Sequence, residues 1–296
     1  MNKIAIIANP YCGGKKGKKA IPHIESKLLE MGIKYDLFVT EYHEHGVSIV
    51  KDLNLKNYDG IFSAGGDGTN YEVLNGLLKH HKRDDIPPIG IIPVGSGNSF
   101  ARDLNIFSTD DGISTLKRKL LKAVDVCSFT TGGEEYFFIN LTGLGFVTDA
   151  AKTASSFKIF GQFSYVIGVL HRIIALKFHH MELEVDGKVY SEENCFVEFC
   201  NSRFTGGDMM MAPDAEIDDG YFDVIILSKT GRLKLLKTFP KIFKGTHMEI
   251  PEARCIKGKS AKIKTIPEKN LLPDGELFGN TPTEIKIYPG HVRYFT

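Results

Sequence analysis

The sequence predicts two domains: a wound α/β domain with a largely parallel sheet, then a mostly antiparallel, β-rich domain with a few helices. Three observations predict this. Over roughly the first 105 residues short apolar runs alternate with helical patterns, past about Val124 the runs are joined mostly by turns, and 296 residues at 42% hydrophobic and 25% charged supply core for two domains.

In chain order, the apolar runs 4–8, 35–39, 60–64 and 89–93 read as parallel strands, each ending at a glycine or proline cluster. The helical patterns between them are 20–31, closed by Gly32, then 47–53 and 70–80. Further strands are read at 135–141, 181–185 with Val189, 195–200, 221–227 and 261–266, and Asp186-Gly187 is a hairpin signal. Two apolar stretches with helical spacing, 157–178 and 233–243, interrupt this β-rich part. The expected domains are 1–125 and 126–285, with a strand near 285–296 returning to the first.

The charge balance, 37 Lys+Arg against 36 Asp+Glu for a net +1, excludes a polycationic nucleic-acid tail and a highly charged disordered chain. No nucleic-acid partner is expected. Five cysteines without a C-x-x-C pair argue against a disulfide framework and a structural zinc site, so a reducing, cytoplasmic setting is expected. Lys3 opens directly onto an apolar strand with no signal-peptide pattern, and no apolar run is long enough to span a bilayer.

The chemistry concentrates in loops. Ser63-Ala64-Gly65-Gly66-Asp67-Gly68-Thr69 ends a strand and opens a helix, so glycines allow close backbone approach to an anion and the helix start favours negative charge. A lone glycine loop of this kind is more often a plain turn, but three glycines around one carboxylate suit a phosphate with a cation between it and Asp67. Residues 91–102 repeat the arrangement with Gly95, Ser96, Gly97 and Asn98, and loops on successive parallel strands meet at the carboxyl edge of the sheet. A third loop, from Asn9-Pro10 through Gly13 and Gly14, carries four lysines at 15, 16, 18 and 19 but fails the Walker A spacing; its backbone is the better phosphate candidate. Residues 214–223 hold five carboxylates, a pattern that fits either a hard-cation loop or a solvated acidic turn. Pro273-Asp274-Gly275-Glu276 alone reads as a tight turn.

Taken together these motifs resemble the diacylglycerol kinase and sphingosine kinase catalytic family, including its bacterial lipid kinases. The resemblance rests on Asn9-Pro10 with Gly13, Gly65 to Thr69 with Glu72, Pro93 with Gly95 to Asn98, Pro213-Asp214-Ala215 with Asp219-Gly220, and Asp274-Gly275-Glu276, in the family's order over nearly the whole chain. It implies a Rossmann-like nucleotide domain, an antiparallel sandwich, ATP and Mg²⁺ as cofactors, and transfer of a γ-phosphoryl group to a lipid hydroxyl. The implied nucleotide residues are Asn9, Pro10, Gly13, Thr40, Gly65, Gly66, Asp67, Gly68, Thr69, Glu72, Gly95, Ser96, Gly97 and Asn98. Magnesium is implied on the Asp219 side chain with backbone oxygens near Glu216 and Tyr221; Glu276 is the implied base, with Asp67 as competitor, and Asp149 a candidate for the lipid headgroup. Asn70-Tyr71-Glu72 departs from the family's apolar-Asn-Glu order, and Ser96 and Ser99 stand where many members carry Thr and Asp. An NAD kinase, which shares the glycine loop, is disfavoured by the missing T-G-S-T-A-Y-like segment, and a silent nucleotide-dependent membrane module by the intact Asp67, Asp219 and Glu276. Residues 229–264 hold eleven Lys/Arg and two Glu, a basic stretch suited to reversible contact with anionic lipid or to a solvated face. An exposed sheet edge is a candidate for homodimer formation.

Overall fold

Strand β1 (Lys3–Ala8) is apolar after Lys3 and buried from there on, as an interior strand of a sheet covered on both faces must be. The computed structural model describes residues 3–155 and 163–296. Two units emerge from the fold, Met1–Val124 with Gly290–Thr296, and Asp125–Pro289.

In the first unit β1 is followed by α1 (Cys12–Glu30), β2 (Lys34–Val39), α2 (His45–Asp52), β3 (Gly60–Gly65), α3 (Asp67–His80), β4 (Ile89–Pro93), α4 (Ser99–Asp103) and α5 (Thr109–Arg118). The strands lie in the order β2-β1-β3-β4, all parallel, with Ile4 beside both Tyr35 and Gly60 and Ala64 beside Ile92. Ile4, Ile6, Leu28, Phe62, Ile92 and Leu116 form the core between sheet and helices. Because β2 lies on one side of β1 and β3 on the other, the loops after β1 and β3 diverge, which opens a crevice at the carboxyl ends of those strands. Apolar spacing predicts the first helix at 20–31, yet it starts at Cys12, with Gly13, Gly14 and Lys15 in left-handed conformations (φ 57°, 69° and 71°). The lysines that follow lack apolar periodicity but are good helix formers, so composition extends the helix where patterning could not. Likewise α3 begins at Asp67 instead of Asn70, placing a carboxylate in its first turn, where the helix dipole favours it.

The second unit contains the rest of β5 (Leu121–Thr131), then β6 (Glu134–Phe138), β7 (Leu141–Gly145), α6 (Phe146–Ser155), α7 (Phe163–Ile174), β8 (His179–Val185), β9 (Lys188–Cys200), β10 (Phe204–Thr205), β11 (Met209–Met210), β12 (Phe222–Ser228), α8 (Arg232–Thr238), β13 (Ala253–Gly258), β14 (Ser260–Ile266), β15 (Leu271–Pro273) and most of β16 (Thr283–Phe295). Its strand pairings are antiparallel, and the 13-residue β9 organises them. The first half of β9 pairs with β8 through a turn at Asp186-Gly187 (φ 47° and 83°), its second half pairs with β7, and its other edge pairs with β12. Alternation along β9 sends Val197 and Phe199 into one core with Val224 and Ile226, and Phe196 and Cys200 into another with Phe146, Val169 and Leu235 from the helices. The strand expected at 135–141 is broken in two, because the Asn140 carbonyl accepts from the amides of Asn201 and Ser202 instead of continuing a ladder. Residues 156–162, which include the start of the helical stretch expected at 157–178, lie outside the described residues. The stretch expected at 233–243 is α8 followed by a 3₁₀ segment, Phe239–Lys244, whose Pro240 lacks the amide an α-helix would need there.

Several polar side chains are buried with this core, among them Asn194, Glu198 and Asp223. Glu198, in the second half of β9 and 1% exposed, shares the face of Phe196 and Cys200, and its Oε2 has no hydrogen-bond partner among the described residues. It packs over Gly143, where a Cβ would lie 2.7 Å from its Cγ. Burial pushes its carboxyl up to about 8, so the neutral acid is the form that folding favours. Stability from this group is therefore full at low pH and declines from the ordinary glutamate range upward until pH passes about 8. Across that window the wild type is expected to lose about 1.4 kcal/mol per pH unit relative to Glu198→Gln, as read from urea unfolding of both proteins. Parallel pH profiles for the two proteins would overturn this expectation.

Candidate active site

The three loops predicted to hold a nucleotide follow β1, β3 and β4, neighbours in the sheet, and lie at its carboxyl edge. They are built against one another through backbone. A Cβ on Gly95 would sit 2.5 Å from the Gly66 Cα, one on Gly13 would sit 2.6 Å from the Val94 carbonyl oxygen, and one on Gly65 would collide with the Thr69 hydroxyl at 2.2 Å. Glycine is required at these places by contact, whatever the ligand. Asn9 donates its amide to the Ala64 carbonyl and accepts from the Tyr11 amide on its side chain, which joins the first loop to β3. Lys15, non-glycine and left-handed, is backbone strain of the sort retained at binding loops.

The glycine loop predicts an Asp67 that stands bare toward a phosphate-bound cation. Its carboxylate instead accepts from the amides of Ser99 (3.0 Å) and Phe100 (3.3 Å), at the start of α4. Burial raises its carboxyl above the usual aspartate range, and those same amides pull it back. Asp67 thus locks the first glycine loop to the second. Asn98, left-handed at φ 56°, closes the second loop by donating Nδ2 to the Gly95 carbonyl at 2.8 Å, with Ser96 and Gly97 half-buried between them. Glu72 accepts from the amides of Glu44 (2.9 Å) and Gly46 (2.8 Å), fixing the segment that follows Thr40 at the start of α2. The Thr40 amide donates to the Ala8 carbonyl, so this residue sits beside the same crevice, whereas Pro10 and Gly68 contribute loop geometry. Asn70 faces inward, its Oδ1 accepting from Ser63 and from the Tyr294 hydroxyl, a structural use that accounts for its departure from the family order.

Two buried polar atoms stand open here, and only the hydroxyl of the two can donate to a phosphate, since an amide oxygen only accepts. The Thr69 hydroxyl and Asn98 Oδ1 are buried and have no partner among the described residues, at a cost of about 1–3 kcal/mol each unless something polar meets them. A phosphate oxygen would satisfy the hydroxyl at the start of α3, where the first-turn amides have no intrahelical partners.

In the second unit, Asp274 takes a left-handed conformation (φ 46°) and accepts from three amides, Ile139 at 3.0 Å, Asn140 at 2.9 Å and Leu141 at 3.1 Å. The turn is closed by the Glu276 amide donating to Pro273, so Glu276 is presented half-buried from a rigid base. Asp125, Asn201 and Ser202, which no motif singles out, complete this scaffold. Asn201 donates to the carbonyls of Asp125 and Ile139, Ser202 bonds Asn140, and the Asp125 carboxylate accepts from Gly220 at 2.6 Å. The available signal is a polar pair closing the apolar run 195–200, in line with a buried hub. Asp149, in the first turn of α6, is half-buried, and its carbonyl accepts from Arg172.

The Asp219 side chain, expected to hold magnesium, has protein partners of its own. Asp219 Oδ1 accepts from the Tyr221 amide, and Oδ2 lies 2.6 Å from Lys257 Nζ, which is also 3.7 Å from Asp223. Burial opposes the Lys257 charge, but Asp219 and Asp223 more than offset it and hold its pKa above the usual lysine value. Among the described residues no three His, Cys, Asp or Glu side chains converge as a metal set. Lys257 thus supplies positive charge at the Asp219 carboxylate, and an ion bound to that carboxylate would have to share or displace it.

Families with matching sequence divide the chain in the same order. Residues 3–129 match the diacylglycerol kinase catalytic domain, and residues 142–296 match the YegS C-terminal NAD kinase beta sandwich-like domain. A diacylglycerol kinase of Staphylococcus carnosus (strain TM300) is 30% identical over 300 residues, covering 98% of this chain and 94% of that protein. One from Bacillus subtilis (strain 168) is 29% identical over 293 residues, covering 97% and 94%. The fold is shared with a diacylglycerol kinase crystal structure from Bacillus anthracis str. Sterne, at a TM-score of 0.76 and 23% identity over 99% of this chain and 96% of that one.

Two outcomes test this geometry. Gly95→Ala is expected to push the glycine loops apart and lower kcat/KM by about 100-fold while far-UV circular dichroism is kept, the cost of a displacement near 1 Å. Wild-type melting is expected to be indifferent to chelator or added Mg²⁺, whereas Lys257→Met melts lower by about 1 kcal/mol and is partly restored by Mg²⁺.

Proposed function

The chain belongs to the diacylglycerol kinase catalytic family, and from that premise we propose how its residues carry out ATP-dependent phosphorylation of a lipid hydroxyl, with a diacylglycerol-like lipid as acceptor. The observation that supports this most directly is the backbone contact of Gly66 with Gly95 beside the unpartnered Thr69 hydroxyl, which leaves amides and one donor for a polyphosphate and no room for side chains. Magnesium, when bound with the nucleotide and near Asp219, Glu216 and Tyr221, would neutralise phosphate charge, and the steps that follow are assigned to the chain's own residues.

The loops after β1, β3 and β4 hold the phosphates of ATP through Asn9, Gly13, Gly65 to Thr69 and Gly95 to Asn98, with Asp67 and Glu72 keeping those loops in register. Glu276 accepts the proton of the lipid hydroxyl as its oxygen bonds to the γ-phosphorus and the bond to the ADP oxygen breaks. The assignment favours Glu276 over Asp67, because the Asp67 carboxylate is committed to two amides. Asp149 is the candidate contact for the polar end of the acceptor. The apolar cavity lined by Phe146, Val147, Phe196, Met209 and Ile225 is the candidate home for an acyl chain. No helix of the described residues is long and apolar enough to cross a membrane, so the enzyme reaches its lipid as a reversible peripheral visitor in this reading. Pairing of two copies through a sheet edge is compatible with it.

The test is transfer of label from γ-labelled ATP with Mg²⁺ to diacylglycerol, monoacylglycerol, phosphatidylglycerol, sphingosine and ceramide in mixed micelles, with NAD alongside. Glu276→Gln is expected to lower kcat by about 100-fold or more with KM for ATP nearly unchanged, while Asp67→Asn raises KM for ATP as the loops part. Label in NAD alone, or equal kcat in Glu276→Gln and wild type, would overturn the assignment.

A further inference from the structure

Of the eleven Lys/Arg in 229–264, seven are spent within the fold. Lys229, Lys234, Lys241, Arg254, Lys257, Lys262 and Lys264 pair with Glu193, Glu252, Glu249, Glu192, Asp219, Glu284 and Glu182, and Lys259 lies over the Tyr221 ring. The cations of this stretch with neither an acidic nor an aromatic partner among the described residues are Arg232, Lys237 and Lys244, all exposed and all within α8 and the 3₁₀ segment Phe239–Lys244. The same short segment exposes large apolar side chains: Leu233 is 76% exposed, Leu236 44% and Phe243 41%. Helix α7, which packs against α8, adds exposed Leu170 and Ile174.

This exposure is not a failure to bury. Leu235, Thr238 and Ile242 point inward from the same segment and, with Phe239, wall the apolar cavity. The Phe239 ring meets Phe243 edge-on at 6.1 Å, which ties the outer side chain to the inner wall. Apolar side chains interleaved with unpaired cations match an anionic bilayer surface, where Leu and Phe enter the interface and Lys and Arg meet headgroup phosphates. A second copy of the chain would leave three like charges facing their own kind across a two-fold interface.

We propose that the segment 232–244 is the face by which the protein docks on an anionic phospholipid bilayer, its inner side being the wall of the apolar cavity. The proposal rests on the lipid kinase reading for its purpose, since a lipid acceptor remains in the membrane, but the docking can be measured without turnover.

Vesicles of phosphatidylcholine alone and of phosphatidylcholine with phosphatidylglycerol are sedimented with wild type, Leu233→Ser/Phe243→Ser and Arg232→Gln/Lys237→Gln/Lys244→Gln. Wild type is expected to bind the anionic vesicles and to be released by salt. The apolar variant is expected to bind at least tenfold more weakly, and the charge variant about fivefold more weakly per cation removed. Phosphorylation of diacylglycerol held in those vesicles is expected to fall in parallel, while turnover of a short-chain, dispersed diacylglycerol is unchanged in both variants. Equal vesicle binding by all three proteins would overturn the proposal, as would a wild-type dimer in gel filtration that the Leu233→Ser/Phe243→Ser change dissociates. Absence of short-chain turnover in wild type would count against the kinase reading instead, while vesicle sedimentation, which needs no turnover, would still decide whether the segment docks.

Discussion

The first unit of this protein depends on two glycine loops that touch through their backbones. Gly95 approaches Gly66 so closely that it has no room for a side chain, and one on Gly66 would crowd it at 3.3 Å; the Asp67 carboxylate then holds the pair by accepting from two amides across the gap. This arrangement solves an electrostatic problem before any ligand arrives. A polyphosphate needs converging N–H groups that keep their places as charge moves, and a rigid cluster of backbone dipoles provides them without reorganisation. Glu72 does for the α2 start what Asp67 does for α4, so acidic residues that look like ligands in the sequence are braces in the structure.

The second unit repeats that logic with a different acid. Asp274 accepts from three successive amides, and its left-handed backbone directs the turn so that Glu276, two residues on, is presented from a fixed base. Asn201 extends the scaffold by satisfying the Ile139 carbonyl in the break between β6 and β7 together with the Asp125 carbonyl, and the Asp125 carboxylate in turn accepts from the Gly220 amide. A buried polar network of this kind is costly if half-made, which is why its members cluster so tightly around a single turn.

Much of the fold is legible because its signals are local. The apolar runs of β1, β3 and β4 are short and bounded by glycine or proline, and Asp186-Gly187 has the residues its turn requires. Helix α1 reads too short because its first turns are lysine and glycine, with nothing periodic to count. The candidate site is legible as a set of loops but not as a set of bonds. Spacing places Asp67, Asp219 and Asp274 near chemistry, yet whether a carboxylate faces a ligand, an amide or a lysine depends on residues 32, 38 and 134 positions away in sequence, as with Ser99, Lys257 and Asn140. No single-chain pattern encodes those partners.

The same limit explains why a charge count misplaces the basic surface. Summed along 229–264, the excess of cations suggests one broad patch, but β13 and β14 bring Arg254, Lys262 and Lys264 to acids on β9, β16 and β8, while Glu193, Glu252, Glu249 and Asp219 answer Lys229, Lys234, Lys241 and Lys257. Cross-strand pairing consumes charge that sequence arithmetic leaves free. What survives lies where the chain leaves the sheet, in α8 and the turn after it, because there are no facing strands to answer Arg232, Lys237 and Lys244. Secondary structure, more than composition, therefore decides which cations remain available to a partner, and in this chain they remain beside Leu233, Leu236 and Phe243, the residues that the core has also left unclaimed.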